Sequence, residues 1–251
     1  MQHPLRAARP TDPFLRFNLQ DAQVVDYRVD GDHVAFVRPG RRAGELWVGA
    51  LGDDPGRIVD LLDMIMERHG IDGIHVHADV YPRLPERLTI ADPGHWSIWV
   101  ARAGVAVPSL RRWASPVSEL QATDARIDEV LAHSESAYVF AGDDSVRRWV
   151  GVERQGRLLA VGAESVIAGD VPHLVSICTD PQERGRGLGR AVTAALVSGA
   201  FLRGEPLVYL EMYADNAAGA ALYRSVGFQE VARYRSGWLP RRGVPQRREP
   251  A

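Results

Sequence analysis

Three arginines and three glycines lie together in residues 184–190, in the order Arg-Gly-Arg-Gly-Leu-Gly-Arg. The apolar run 174–179 before them predicts a short buried strand that Asp180-Pro181 ends. Residues 188–202 then place apolar side chains at helical spacing. A helix N-terminus carries partial positive charge and N–H groups without helical partners, so acidic side chains are expected there. Arginines in that place indicate a bound anion instead. The glycines let backbone N–H groups approach a phosphate closely, and the arginines add positive charge.

The glycine spacing restricts which phosphate ligand this loop can hold. The order is Gly185-x-Gly187-x-Gly189, which differs from the Gly-x-Gly-x-x-Gly of dinucleotide-binding folds. A Walker loop needs a lysine after its last glycine, and the chain contains no lysine. A Walker lysine, a kinase lysine and a lysine Schiff base are therefore excluded together.

Two motifs carry a resemblance to a known family. Residues 184–189 resemble the acyl-CoA pyrophosphate loop of the GNAT superfamily of N-acetyltransferases, Arg/Gln-x-x-Gly-x-Gly/Ala, and residues 177–181 resemble its hydrophobic-x-hydrophobic-x-Pro lead-in, with Thr179 replacing the usual valine. Residues 216–228 are similar to the second signature, Asn-x-x-Ala-x-x-Leu-Tyr-x-x-x-Gly-Phe, with Gly219 in place of the alanine. The resemblance covers roughly residues 117–235 and does not identify the acceptor.

The resemblance implies a fold, a co-substrate and a set of binding residues. The fold class is α/β (α+β), a mixed and mostly antiparallel twisted sheet flanked by helices, with a smaller N-terminal α/β domain. The co-substrate is acetyl-CoA, whose acetyl group passes by direct attack to a primary amine. The residues expected to bind acetyl-CoA are Ile177, Cys178, Thr179, Arg184, Gly185, Arg186, Gly187, Leu188, Gly189, Arg190, Asn216 and Tyr223.

Acyl transfer to an amine needs a proton acceptor, an oxyanion donor and an acid for the departing thiolate. The resemblance implies that Tyr223 is the acid and that a backbone N–H near Ile177 or Cys178 binds the oxyanion. We expect Glu164 to be the base. His173 and Glu211 are the alternatives, and each of the three can instead be a surface group.

Three of these residues also have structural interpretations that stay open at this stage. Asn216 either contacts the pantetheine arm or only caps a helix, and Tyr223 either donates a proton or packs beside Leu222. Cys178 is expected to be a small apolar strand residue, since no paired histidine and aspartate activate it as a nucleophile.

Two other function classes compete with the acetyltransferase. One is a regulatory module that binds CoA without catalysis. The other is a metal-dependent hydrolase built on His75-x-His77-x-Asp79, which resembles part of a metallo-hydrolase signature but has Val80 where its last histidine belongs. Strict alternation over residues 73–80 predicts a strand with both histidines on a solvated face, and we favour that interpretation over a metal site.

Composition excludes several partners. The net charge of −2 gives no basic field for nucleic acid, and no apolar run reaches membrane-spanning length. The single cysteine excludes an internal disulfide, and no signal peptide is recognised, so a cytoplasmic protein is expected. The acceptor is expected to be an amine on a small molecule or a peptide, and the protein a monomer or homodimer without a bound metal.

The order of the predicted elements divides the chain into three parts. Residues 1–115 are predicted to form an N-terminal α/β domain that begins with a loose segment to residue 13, and one interpretation of this domain is a degenerate GNAT-like copy. Residues 116–238 form the acyltransferase domain after the arginine-rich connection 108–116. Residues 239–251 are an Arg- and Pro-rich tail expected to be disordered. Helices are predicted over 55–69, 123–136, 188–202 and 217–225, and strands over 24–27, 34–37, 46–50, 73–80, 96–101, 117–121, 148–153, 158–167, 174–179, 207–213 and 228–234.

Overall fold

The structure, a computed structural model, describes residues 2–40, 42–90, 92–104, 116–166 and 171–240. The α-helices are α1 (Pro4–Ala8), α2 (Pro13–Phe17), α3 (Pro55–Met66), α4 (Arg126–Leu131), α5 (Leu188–Leu202) and α6 (Ala217–Ser225). The strands are β1 (Asp26–Asp30), β2 (His33–Pro39), β3 (Leu46–Leu51), β4 (Gly73–His77), β5 (Gly94–Arg102), β6 (Val117–Leu120), β7 (Val146–Arg154), β8 (Arg157–Ser165), β9 (His173–Thr179), β10 (Leu207–Tyr213) and β11 (Gln229–Trp238).

The chain divides into two compact units. Unit 1 comprises Met1–Ser97, Tyr213–Asp215 and Ala232–Ala251, and unit 2 comprises Ile98–Met212 and Asn216–Val231. The predicted boundary near residue 115 stays a prediction, because residues 105–115 lie outside the described part of the chain. The predicted tail from residue 241 onward lies outside it as well.

Unit 1 is a sheet in the order β1-β2-β3-β4-β11. Strands β1, β2 and β3 are antiparallel, α3 crosses to β4 parallel to β3, and β11 returns antiparallel to β4. Helix α3 begins where Asp54 caps its first N–H groups and Pro55 occupies the first turn. Its apolar stripe is buried in the core of this unit, at Ile58, Leu61, Leu62 and Ile65.

Both ends of unit 1 differ from the sequence prediction. The segment expected to be loose up to residue 13 contains α1, whose Leu5 is completely buried, and leads into α2, where Asp12 caps the first turn. Leu239, placed in the predicted tail, is buried in the core, and its N–H donates to the carbonyl of Asp72. A few buried apolar side chains are enough to pack these segments against the core. The mainly polar composition of the segments does not reveal this packing.

Unit 2 is a sheet in the order β5-β10-β9-β8-β7-β6. Strands β6 to β9 are antiparallel neighbours, and α5 then crosses to β10, which is parallel to β9. Gln155 and Gly156 both have positive φ, which gives the β7–β8 hairpin the twist-matched two-residue turn that such hairpins favour. The predicted mixed and mostly antiparallel sheet with flanking helices is confirmed.

Each face of the unit 2 sheet buries its own core. Helices α5 and α6 pack on one face, around Val192, Leu196 and Leu210. Helix α4 packs on the other, around Val130, Val175 and Cys178. Helix α4 is shorter than predicted, since it ends at Leu131 and residues 132–145 form an irregular connection to β7.

No helix in the described ranges of the chain combines the length and the apolar character that crossing a membrane requires.

Candidate functional site

In the described part of the chain, the ladder between the parallel strands β9 and β10 covers the first two residues of β9 and the third and fourth residues of β10. Their ladder joins Tyr209 to His173 and Leu210 to Leu174, whereas β9 continues to Thr179 and β10 to Tyr213. Within the described part of the chain, the later residues of β9 pair on their other side with β8. The edge of β9 that faces away from β8 therefore offers backbone groups to an extended ligand, in the way that a sheet edge accepts a peptide.

A β-bulge interrupts β9 in this unpaired stretch. The register with β8 shifts between Val161 and Ala163, and Ser176 has a φ of +52°. Such a bulge twists the strand locally and redirects its peptide groups. Ile177 follows the bulge and has no partner residue in the β8–β9 register, so we consider its peptide N–H a candidate oxyanion donor.

The arginine-glycine loop places the start of α5 at the end of β9. Gly187 is the N-cap residue with a φ of +79°, no side chain caps the helix, and its first turn has no acidic residue. Gly185 also has a positive φ, of +78°, a region where a side chain is strained. The N–H groups of this turn are thus available to an anion from solvent.

The arginines of the loop are exposed and lie near its backbone. Arg186 pairs with Glu183 at 2.9 Å, and Arg184 donates to the carbonyl of Thr179 at 3.4 Å. A Cβ on Gly189 would lie 3.2 Å from both Leu222 and Thr179, so the glycine permits close packing of α5 against β9 and α6. These features fit a pyrophosphate, which needs open N–H groups and mobile positive charge together.

Helix α6 begins at Asn216, whose Oδ1 accepts the N–H of Gly219 at 2.8 Å. A Cβ on Gly219 would lie 2.6 Å from Asn216 Nδ2, which explains why glycine replaces the alanine of the family signature. Tyr223 lies two turns later with its ring edge-on to Phe228, at 5.8 Å between centroids. Burial raises the pKa of Tyr223 to about 12, so this hydroxyl is protonated at neutral pH.

Glu164 occupies a different environment from the one expected of a base. Its side chain is completely buried on β8 and is surrounded by the guanidinium groups of three arginines. Arg147 lies 3.0 Å from Oε1 and Arg148 lies 3.2 Å from Oε2, while Arg203 also pairs with Oε1. Gly199 leaves the room that the Arg148 guanidinium occupies. A buried carboxylate enclosed by three guanidinium groups is hard for an incoming amine to reach, which argues against Glu164 as the base.

The alternative bases differ in their surroundings. His173 is buried and stacks on Tyr209 with 4.3 Å between ring centroids, and burial lowers its pKa to about 3. Glu211 follows Leu210, the last β10 residue paired with β9, and is half-buried where the strands separate. Burial raises the pKa of Tyr209, and the charges of Glu211 and then Tyr138 act in the same direction. Of the three candidates, Glu211 is the carboxylate at the opening between the strands.

Cys178 is a buried strand residue whose thiol donates to the carbonyl of Val130 at 3.3 Å. Burial raises its pKa, which is the reverse of what activates a nucleophilic thiol. This environment agrees with the expected apolar role.

The predicted solvated face of the two histidines on β4 is wrong. His75 is buried, with Nδ1 at 2.7 Å from Ser236 Oγ and Nε2 at 2.9 Å from Arg38. His77 Nδ1 lies 3.0 Å from the carbonyl of Gly52. Aromatic side chains cover this face, and Trp47 lies 4.8 Å from the His75 ring. These contacts give the two histidines a structural role in unit 1. Among the described residues, no group of possible metal ligands includes either histidine.

Comparison with known proteins identifies the domain that carries this geometry. Residues 108–228 match the model of the acetyltransferase (GNAT) family. A GNAT-family acetyltransferase structure from Novosphingobium aromaticivorans has 23% sequence identity and a TM-score of 0.53, covering 86% of this chain and 90% of its own. A GCN5-related N-acetyltransferase from Sphaerobacter thermophilus has 18% identity and a TM-score of 0.56, covering 88% and 82%. These two likenesses concern the fold.

Curated relatives match part of the chain as well. The N-alpha-acetyltransferase RimI of Mycobacterium tuberculosis is 41% identical over 86 residues, which are 33% of this chain and 52% of the relative. The [ribosomal protein bS18]-alanine N-acetyltransferase of Escherichia coli K12 is 37% identical over 78 residues, 31% of this chain and 52% of the relative. The chain thus spans about half the length of these relatives. Residues 108–228 form a GNAT-family domain.

Proposed function

Because residues 108–228 belong to the GNAT family, we propose that this protein is an N-acetyltransferase that moves the acetyl group of acetyl-CoA to a primary amine. The observation that carries the proposal is the opening between β9 and β10, which leads directly to the uncapped N-terminus of α5. An extended chain ending in a pyrophosphate matches these two features at once. The residues that we propose to bind acetyl-CoA are those predicted from the sequence. Among them, Asn216 also caps helix α6.

In this proposal, Glu211, Ile177 and Tyr223 supply the groups that the reaction needs. The amine nitrogen attacks the thioester carbonyl, and its proton passes to Glu211, directly or through water. The N–H of Ile177 at the β9 bulge binds the oxygen that becomes negative. The C–S bond then breaks, and Tyr223, protonated because its pKa is raised, gives its proton to the departing thiolate.

We assign the base to Glu211 in place of Glu164. The Glu164 carboxylate is held by three arginines in a closed ion network on β8, whereas Glu211 lies where β9 and β10 separate. A base must reach the proton that it removes, so the position of a candidate residue is the first criterion for choosing the base, and its pKa is the second.

The acceptor that we propose first is the α-amine of a peptide. The names of two relatives support it, since one is an N-alpha-acetyltransferase and the other an N-acetyltransferase for an alanine of ribosomal protein bS18. Residues 134–145 beside the site carry Glu135, Asp143 and Asp144 without a basic residue, which suits a cationic acceptor. A mycothiol acetyltransferase of Kocuria rhizophila is 43% identical over 65 residues, so small-molecule amines belong in the same screen.

We further propose that unit 1 is a degenerate copy without an acyl-CoA site. Its order of three antiparallel strands, a helix and a parallel strand repeats that of β7 to β10. In unit 1, however, Asp54 caps the helix with bonds of 2.8 Å and 3.2 Å to the next N–H groups. The β3–β4 ladder extends over Trp47 to Ala50 and leaves no comparable opening. A carboxylate thus occupies the place where unit 2 offers N–H groups to a phosphate.

Calorimetric titration with acetyl-CoA tests the proposal. We expect micromolar binding at one equivalent per chain, lost in the double variant Arg186→Glu, Gly187→Asp. The matched control is Arg102→Glu, Gly104→Asp, which makes the same charge change and replaces another glycine of positive φ, +88°, at an exposed position. Failure of the folded wild-type protein to bind acetyl-CoA would refute the proposal.

Turnover is then measured as free CoA release with a panel of peptides and small amines. Release that depends on the amine supports an acetyltransferase. Tight binding without release for any amine, and without any effect of Tyr223→Phe, would instead indicate a non-catalytic CoA-binding module.

A further inference from the structure

Ser176 has an unusual backbone conformation for its residue type. It lies at the bulge of β9 with a φ of +52°, a region that costs a non-glycine residue about 1 kcal/mol or more. Such a residue persists only where the surrounding structure holds it, and such positions concentrate at functional sites. The reason for a serine at this position lies in what its side chain contacts.

The hydroxyl of Ser176 donates to the backbone carbonyl of Val139 at 2.7 Å. Val139 is buried in the core beneath α4, but its neighbours Tyr138 and Phe140 are 46% and 45% exposed. This single bond therefore joins the bulge to the middle of the irregular segment 134–145, which we call the connecting segment. The next anchors are at its C-terminal side, where Ala141 N donates to Asp128 and Gly142 N to the carbonyl of Ala122.

The connecting segment reaches the residues that are proposed to handle the amine. Tyr138 is close enough to Tyr209 to raise its pKa, and Glu211 raises the same pKa. Glu211 is two residues from Tyr209 on β10, so their side chains lie on the same face of the strand, and Tyr138 interacts electrostatically with Tyr209. An amine that approaches Glu211 passes beside the segment that Ser176 holds.

We propose that Ser176 is a positioning residue, whose hydroxyl fixes the connecting segment relative to the bulge and so sets the approach of the amine. The inference rests on the proposed function. It assigns to one side chain a role toward the acceptor, while the acetyl donor is bound by the backbone of β9 and by the loop before α5. Loss of the hydroxyl should therefore alter amine binding and leave acetyl-CoA binding unchanged.

The test compares Ser176→Ala with Ser176→Gly. Both variants remove the hydroxyl, but glycine suits the positive φ and alanine does not. Ser145→Ala is the matched control, because Ser145 ends the same segment and its hydroxyl donates to Asp143 at 2.6 Å. Hydrogen exchange by mass spectrometry follows residues 134–145, calorimetry measures acetyl-CoA affinity, and steady-state kinetics use the peptide or amine with the highest turnover in the wild-type screen.

We expect faster exchange in the connecting segment and a KM for the amine about fivefold higher in both Ser176 variants, the change that one net hydrogen bond corresponds to. The acetyl-CoA affinity and kcat should stay within twofold of wild type, and the control should show none of these changes. Unchanged exchange, an unchanged amine KM, or an effect confined to the alanine variant would overturn the proposal. An equal loss of acetyl-CoA affinity would overturn it too, by assigning the hydroxyl to the donor. Absence of turnover in the wild type would refute the proposed function instead, and this inference with it.

Discussion

Replacing Glu164 by glutamine tests whether this carboxylate has a structural or a catalytic role. The Glu164 side chain is 0% exposed and neutralises Arg148, which is 17% exposed, together with Arg147 and Arg203, which are 37% and 36% exposed. Breaking a buried ion pair on one side costs about 3–5 kcal/mol. Since two of the arginines reach solvent, we expect the lower end, about 3 kcal/mol. For a chain of this size that corresponds to a fall in Tm of roughly 6–12 °C.

The same substitution at Glu211 should have the opposite profile. Glu211 is half-buried at the strand opening, so Glu211→Gln should lower kcat by about 100-fold or more and change Tm little. Glu164→Gln should keep kcat within about twofold at temperatures where it is folded. Thermal unfolding by circular dichroism and CoA release measure the two quantities. Glu205→Gln is the control, since its carboxylate pairs with Arg147 at 3.3 Å and lies partly in solvent. A folded Glu164→Gln protein that has lost activity, beside an active Glu211→Gln protein, would refute this reasoning.

Two further predictions concern Tyr223 and Cys178. Tyr223→Phe should lower kcat by about 100-fold. Because the reaction uses the protonated hydroxyl and burial raises its pKa to about 12, only about 1% is ionised at pH 10, so the wild-type rate should not fall between pH 8 and pH 10. A rate that halves near pH 10 would contradict this assignment, and Tyr27→Phe, at an exposed position on β1, is the control. Cys178→Ala should keep kcat within about twofold and lower stability by about 1 kcal/mol, since the buried thiol has a raised pKa and serves packing. Loss of turnover without loss of Tm in that variant would show instead that the thiol takes part in the reaction.

Elements with strong local signals were predicted closely. The strand over residues 207–213 and the helices over 188–202 and 217–225 have the predicted bounds. Each is delimited by residues whose effect is local, such as the glycines before α5 and Asn216 before α6. The position of the arginine-glycine loop between β9 and α5 followed from the same local rules, because strand, turn and helix are adjacent in the chain.

Burial of polar residues was predicted poorly, because their partners are distant in sequence. Glu164 meets arginines from positions 147, 148 and 203, and no spacing along the chain indicates this convergence. His75 lies in an alternating strand of the kind that usually has one solvated face. Trp47 and other aromatic side chains cover that face, and they come from other elements. Alternation reports which side chains share a face and does not report what covers it.

The backbone of Ser176 shows a further limit of sequence patterns. A positive φ is usually signalled by glycine or asparagine, and a serine within an apolar strand gives no such signal. The hydroxyl of Ser176 donates to the carbonyl of residue 139, which the sequence does not place near it. The bulge, and with it the candidate oxyanion donor, becomes visible only when β8 and β9 are paired.

The two helix starts show how much of the function nevertheless depends on local chemistry. Helices α3 and α5 follow the same order of strands and lead into the same kind of parallel partner. Asp54 satisfies the first N–H groups of α3, whereas α5 begins at a glycine without a capping side chain and with arginines around it. Since the orphan N–H groups of a helix need a partner, the sequence of each start decides whether that partner is the protein itself or a bound anion. The arginine-glycine start of α5 therefore indicates an anion site most clearly when it is compared with a helix start that is capped by its own side chain. Helix α3 of this chain provides that comparison.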